Sequence, residues 1–335
     1  MSASTNRQWI LASRPTAMVG PEHFTLRQAA VPEPAAGEVL VRQHVISVDP
    51  ANRAWMMPMP TYKAPVNPGD VMHGFALGEV LRSNDPGFKP GDLVEGMMGW
   101  QEYAAMPARE LTRRNPAYSH EMLLSLLGIT GLTAYYGLLD VGTPKAGETV
   151  VVSAAAGAVG SIVGQIARIK GCRVVGTAGG ADKCQWLKQE LGFDEALDYR
   201  SGDMRKALAQ ACPKGIDVYF DNTGGDVLQA ALLSMRVKGR IVCCGAVSQY
   251  NAGQPAPGPV GVPALLVTKR LRMEGFIVMD FFATRDKAEA ELHQWYREGK
   301  IKSPVEVVKG FENTPAAMIR LFQGDHRGKL LVDVR

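Results

Sequence analysis

The chain has 335 residues, enough for two domains, and its 46% hydrophobic and 21% charged residues give an ordinary globular balance that argues against disorder. A formal net charge of +4, spread without long Lys/Arg runs, gives no indication of a nucleic-acid surface. The opening MSASTNRQWILASRP has no apolar signal core, and the apolar stretch from Val150 to Ala167 is interrupted by three glycines, two serines and Gln165, so a cytoplasmic protein without a membrane segment is expected.

From Trp9 to about Leu123 short alternating strands are broken by Pro and Gly: FTLRQAAVP, GEVLVRQHVISVDP, VMHGFALGEVLRS and GDLVEGMMGWQEYAAM. This predicts a β-rich domain over residues 1–125. Within it, MMPMPTYKAPVNPGD (Met56 to Asp70) is too rich in proline for helix or central strand. Loops of this kind carry function more often than core, which singles out Tyr62, and Met56, Met57 and Met59 are expected to form an adaptable apolar wall. From Glu121 the pattern turns helical (EMLLSLLGITGLTAYYGLLDVG) and leads into a second domain predicted over 126–302.

That domain is organised around Glu148 to Gly171, ETVVVSAAAGAVGSIVGQIARIKG, a strand, a tight turn and a helix. In the turn AAAGAVG, Gly157 and Gly160 have the spacing of the last two glycines of a dinucleotide-binding fingerprint, and Ala155 takes the first glycine position. Gly157 would let backbone approach a pyrophosphate, Gly160 would let the helix lie close to the strand, and the first free helix amides would face the phosphates. Tight strand–helix packing without a ligand is the alternative. The strand CRVVGTA (Cys172 to Ala178) completes the βαβ unit that the motif requires. At its end, where an NAD-preferring enzyme carries an acidic residue, stand Gly179, Gly180 and then Lys183. With no carboxylate read there, Lys183 is a point charge suited to a 2′-phosphate, and the cofactor is read as NADP (NADPH); a solvated helix lysine is the competing reading.

Further alternation follows, with helices near 182–191, 203–212, 226–235 and 264–270 and strands near 195–199, 216–222, 240–246 and 272–278. This predicts an α/β fold with a six-stranded, doubly wound Rossmann sheet. The loop Gly245 to Gly261 begins at the C-terminal end of a strand, the ligand side of such a sheet, and places Tyr250 near the site. After a helix over 286–299, residues 303–335 are expected to return to the first domain with strands EVVKGF and GKLLVDV. All five cysteines lie at or after Cys172 and read as reduced thiols. A catalytic zinc built on Cys in the first domain is thereby excluded, and His23, His44, His73 and His120 show no ligand spacing, so no metal is expected.

SVDP (Ser47 to Pro50), GLTAYYGLLD (Gly131 to Asp140), AAAGAVGSIVGQIA, GCRVVG, YFDNTGG (Tyr219 to Gly225), CGAVSQYN (Cys244 to Asn251), LRMEGFIV, and the closing GFEN and GK resemble one another's counterparts in a single family over nearly the whole length. The chain resembles the zinc-independent medium-chain dehydrogenases/reductases, in the subgroup of prostaglandin reductases, plant double-bond reductases and bacterial curcumin reductases. The resemblance implies a β-rich GroES-like substrate domain beside the Rossmann domain, a homodimer, and NADPH-dependent reduction of the C=C bond of α,β-unsaturated ketones and aldehydes. It implies phosphate contacts at Ala156, Gly157, Ala158, Val159 and Gly160, 2′-phosphate recognition by Lys183 with Tyr199, and a contact at Asn222. It also implies nicotinamide-side contacts at Cys244, Gly245, Ala246, Val247 and Ser248, and further ones at Phe276, Ile277, Val278 and His326. Two departures stand out: relatives carry Tyr-Met where this chain has Ala51 and Asn52, which implies a wider pocket, and Asn where it has His326.

Conjugate reduction without metal needs a hydride at the β-carbon and a donor to the carbonyl oxygen as it becomes negative, which a neutral hydroxyl supplies. Tyr62 and Tyr250 are the candidates, with water as the competing proton source; a rim or dimer-contact role is the alternative for Tyr62. The sequence also leaves open NADPH:quinone reduction and NADPH binding without turnover.

Overall fold

Strand-forming residues dominate the first third of the chain, and the computed structural model, which describes residues 5–59, 61–251 and 258–335, turns them into short strands. By its internal contacts the chain divides into two compact units. The first comprises Met1–Leu124, Glu306–His326 and Leu330–Arg335; the second comprises Ser125–Val305 and Arg327–Lys329.

In the first unit β1 (Asn6–Leu11) pairs antiparallel with β2 (Phe24–Ala29). β3 (Glu38–Val48) follows, then the short helix α1 (Pro50–Ala54), β4 (Ala76–Ser83), β5 (Leu93–Gly96), β6 (Tyr103–Pro107), β7 (Thr112–Arg113) and α2 (His120–Leu124). β3 is the spine: its Val39, Val41 and Ile46 are fully buried, and it pairs antiparallel with both β4 and β6. Trp100, Met56, Met72 and Phe311 fill the core beneath it. Met56 therefore belongs to the core, not to an adaptable wall; Met57 and Met59 are the exposed methionines of that loop.

The second unit opens with α3 (Ile129–Tyr136) and a π-helical turn over Gly137–Gly142. The helical pattern read from Glu121 is interrupted here: Gly128 precedes α3 in extended backbone, and Gly131 packs directly on the Leu126 carbonyl, an approach that a Cβ would block. Then come β8 (Thr149–Val152), α4 (Ala158–Ile169), β9 (Arg173–Ala178), α5 (Ala181–Glu190), β10 (Glu195–Asp198), α6 (Met204–Ala211) and β11 (Ile216–Asp221). α7 (Gly225–Ser234), β12 (Met235–Cys243), α8 (Val262–Lys269), β13 (Arg272–Gly275) and α9 (Arg285–Arg297) complete it. The sheet has six parallel strands in the order β10-β9-β8-β11-β12-β13. The order reverses between β8 and β11, the switch point at whose carboxyl ends such sheets bind ligands. β12 starts at Met235, five residues before the sequence pattern suggests, because Ile216 of β11 pairs with Met235 ahead of a register shift. β13 stops at Gly275, so Phe276 to Val278 lie beyond the strand.

β14 (Val305–Lys309), α10 (Thr314–Gln323) and β15 (Lys329–Asp333) close the chain, and β15 pairs with β3 to complete the seven-stranded sheet of the first unit. Among the described residues no helix is long and apolar enough to cross a membrane.

Candidate active site

The turn between β8 and α4 is built by backbone approach. Ala154, not Ala155, takes the left-handed conformation (φ 47°), and the Gly157 N–H returns to its carbonyl at 2.9 Å. Ala155 is fully buried and is accommodated because Gly176 of β9 packs against it, where a Cβ would stand 2.8 Å from the Ala155 methyl. A Cβ on Gly160 would overlap the Ala154 carbonyl oxygen and stand 2.8 Å from the Ala155 Cα, so only glycine lets α4 begin against this turn. A Cβ on Gly157 would meet nothing within 4 Å except the Ala154 oxygen at 3.2 Å, which leaves open space over the turn. The first bond within α4 runs from the Ser161 N–H to the Gly157 carbonyl, so the amides of Ala158, Val159 and Gly160 precede the helical ladder. Open space over glycine and leading helix amides fit a dinucleotide pyrophosphate. Beside the turn runs Arg327–Lys329: the Gly328 N–H donates to the Ala156 carbonyl at 2.8 Å, and the Arg327 guanidinium lies 5.8 Å from the Trp186 ring of α5. Sequence reasoning noted the Gly-Lys pair but not Arg327.

At the end of β9, Gly179 has its open face towards the next strand's end: a Cβ there would stand 2.8 Å from the Tyr199 hydroxyl and 2.9 Å from Arg200 Nε. Lys183 is half-buried in the first turn of α5, on the same edge. A carboxylate does stand here, contrary to the sequence reading. Asp198 of β10 accepts the Gly180 and Arg200 amides, each at 2.9 Å, and these bonds hold its carboxyl below the usual range. Its Oδ1 clips two loops together.

At β11 and β12 the loops are tied to one another. Asn222 donates its side-chain amide to the Ser153 carbonyl at 2.7 Å, and its backbone N–H donates to Ser153 Oγ at 2.8 Å, which fixes the ends of adjacent strands. Asp221, buried, accepts from the Thr223 and Gly224 amides and from the Tyr219 hydroxyl; burial nevertheless pushes its carboxyl upward. The Cys244 and Gly245 amides donate to the Asp221 carbonyl, and the Val247 and Ser248 amides to Asn222 and Thr223. Tyr250 is half-buried, and its hydroxyl accepts the Ala246 N–H at 3.4 Å. Burial raises its pKa, so it is a neutral phenol at physiological pH. With Gly224, Leu228 and Pro259 it lines a cavity of about 510 Å³ that opens on this edge. Residues 252–257 of the predicted loop lie outside the described residues. Phe276 packs its ring against Gly137 and edge-on to Phe220, 6.4 Å between centroids, so its side chain anchors the segment on which Ile277 and Val278 follow.

The segments Ala156–Gly160, Asn222, Cys244–Ser248 and Phe276–Val278, together with Lys183 and Tyr199, thus gather at one edge of the second unit's sheet. Tyr62 and His326 belong to the first unit. There Tyr62 is 51% exposed and meets the Trp55 ring edge-on at 6.2 Å, and Trp55 in turn meets His73 at 6.1 Å. Burial, with Lys63 nearby, lowers the His73 pKa to about 4, so this imidazole is neutral at physiological pH. Asn52 is buried and structural: it donates to the His73 carbonyl at 2.8 Å and accepts the Asp49 amide at 2.7 Å. It therefore fastens two segments together. No group of three or more His, Cys, Asp or Glu that could hold a metal ion occurs among the described residues.

Comparison with known proteins adds family evidence. Residues 7–113 match the family described as the N-terminal domain of oxidoreductase, and residues 158–296 match that described as zinc-binding dehydrogenase. The chain is 44% identical to the NADPH-dependent curcumin reductase of Escherichia coli, covering 98% of this chain and 97% of that protein. It is 42% identical to the NADP(+)-dependent 2-alkenal reductase of Nicotiana tabacum, covering 91% and 89%. A crystal structure of CurA in complex with NADPH from Vibrio vulnificus superimposes with a TM-score of 0.93 at 42% identity, covering 98% of this chain and 99% of that one.

Proposed function

The chain belongs to the medium-chain dehydrogenase/reductase family, in the reductase subgroup of curcumin, prostaglandin and 2-alkenal reductases, and from that premise we propose that it reduces the C=C bond of α,β-unsaturated ketones and aldehydes with NADPH. The observation that carries the cofactor choice is the end of β9, which is Gly179 and Gly180 with Lys183 and Tyr199 beside them, in place of the acidic residue that ends this strand in an NAD site. The turn at Gly157 and the leading amides of α4 would hold the pyrophosphate, and Asn222 and Cys244–Ser248 would border the nicotinamide. When bound, the cofactor supplies the hydride.

The chain's own residues then orient the alkene and stabilise charge. Hydride arriving at the β-carbon moves an electron pair onto the carbonyl oxygen, and a proton added at the α-carbon completes the saturated product. Tyr250, kept neutral by burial, is a proposed donor to that oxygen, and Tyr62, more exposed, is a second. The absence of any cysteine before Cys172 supports chemistry without a catalytic zinc held by Cys in the first unit. The test is turnover of NADPH with a simple enone and, separately, with a quinone: enone reduction supports the proposal, and turnover of the quinone alone overturns it.

A homodimer and a cytoplasmic location form part of the same proposal. β13 ends the six-stranded sheet, and Val260 and Val267, in the segment that leads into it, are exposed, which offers a strand edge and apolar side chains to a second copy. All five cysteines are free, as expected of a reducing compartment. Sedimentation equilibrium giving a single-chain mass at micromolar concentration would overturn the dimer.

A further inference from the structure

We infer that Arg200, one position beyond the residues assigned to nucleotide recognition, grips the 2′-phosphate of the cofactor and carries much of the preference for NADPH over NADH. The inference rests on the NADPH reading above and assigns the group that discriminates. Arg200 and Tyr199 pack together over Gly179, in the place a side chain at 179 would take: the Tyr199 hydroxyl and Arg200 Nε stand 2.8 and 2.9 Å from where that Cβ would be. The guanidinium lies 5.7 Å from the centre of the Tyr199 ring, so the aromatic face supports the planar cation and limits its rotamers. Its backbone is equally fixed. The Arg200 N–H and the Gly180 N–H share Asp198 Oδ1, and the Tyr199 N–H donates to the Ala178 carbonyl at 3.1 Å, clipping the end of β10 to the end of β9.

This is the position of the ribose in a doubly wound sheet, one strand out from the glycine turn. A guanidinium there offers two parallel N–H groups to a phosphate, whereas the Lys183 ammonium offers a point charge. The acidic groups of this edge do not cancel it. Asp198 keeps its charge and attracts Arg200, but its Oδ1 is taken by the two amides and fixes the backbone there, and Asp182 sits exposed in the first turn of α5. Asp198 is consequently a positioning residue: it holds the backbone from which Arg200 projects.

The experiment measures dissociation constants of NADP+, NAD+ and 2′,5′-ADP for the full-length chain by calorimetry, with no turnover involved. Arg200→Ala is expected to weaken NADP+ and 2′,5′-ADP by about ten- to hundred-fold, the range for losing a charge-assisted hydrogen-bonding group, and to leave NAD+ within about two-fold. Arg200→Lys should fall between, because it keeps the charge and loses the fork. Gly179→Ala should reproduce the selective loss, since its methyl would displace both partners from the volume they share. The arginine is exposed, so its replacement leaves the core intact. If the unaltered chain prefers NADP+ and Arg200→Ala retains that preference, the assignment to Arg200 is wrong while the NADPH reading stands. If the unaltered chain binds NAD+ and NADP+ equally, both are wrong.

Discussion

Gly160→Ala isolates the contact on which the nucleotide turn depends. The added Cβ would overlap the Ala154 carbonyl oxygen and lie 2.8 Å from the Ala155 Cα, both backbone atoms that cannot rotate away. Restoring a carbon–carbon separation of about 3.5 Å requires the start of α4 to retreat by about 0.7 Å. Overpacking of this kind costs about 1–3 kcal/mol. Alanine's better helix propensity offsets up to about 1 kcal/mol of that. The net loss, about 0–3 kcal/mol, corresponds to a fall of up to about 12 °C in the melting temperature of a unit of this size. The retreat also carries the Ala158, Val159 and Gly160 amides away from the phosphates, and losing one charge-assisted bond weakens NADP+ by about ten-fold or more. Gly157→Ala separates the two effects. Its backbone (φ −83°) suits any residue and its Cβ would meet only the Ala154 carbonyl oxygen, at 3.2 Å, so stability should fall much less than in Gly160→Ala. The methyl would instead occupy the ligand's space and weaken NADP+ by about ten-fold or more. Melting curves with calorimetric titration measure both quantities. Unchanged stability and affinity in Gly160→Ala, or full NADP+ affinity in Gly157→Ala, would refute the reasoning.

Other perturbations address the remaining parts of the site. Tyr250→Phe should lower kcat for enones by about ten-fold or more, the low end of what removing one such donor costs, while NADP+ affinity holds; steady-state kinetics giving an unchanged kcat would remove Tyr250 from the chemistry. Lys183→Ala should raise KM for NADPH far more than for NADH, and equal effects on both would show that this lysine does not read the phosphate. His73 is neutral in the fold down to about pH 4 but takes up a proton near pH 6.5 when unfolded. Between those values the unfolded state binds more protons, so stability falls as pH falls through that window and is fully present above it. Replacing His73 with Gln should flatten that part of the melting-temperature profile, and a profile of unchanged slope would contradict the assignment.

The order of elements in the second unit was legible because strand and helix periodicities alternate cleanly from Thr149 onward, and the two glycines of the turn are recognisable by spacing alone. What spacing could not reveal is set by partners distant in sequence. Ala155 is tolerated because Gly176 of β9, distant in sequence, packs against its methyl without a side chain, and Met56 is core because β-strand residues close over it, although its neighbours Met57 and Met59 are exposed. Asp198 looked irrelevant to the ribose end because it sits on β10; parallel pairing with β9 brings it beside Gly180. Arg327 could not be connected with α5 until the chain's return past Gly328 was known. Asn52 reads as a departure at a substrate position, yet its amide is consumed by Asp49 and His73.

The most direct measurement follows deuterium from NADPH labelled at the transferable C4 position into a simple enone, with the product examined by NMR. The expected result is a saturated ketone carrying one deuterium on the β-carbon, with one NADPH oxidised per product formed. Deuterium on the carbonyl carbon of an allylic alcohol, or no transfer to the enone at all, would contradict it.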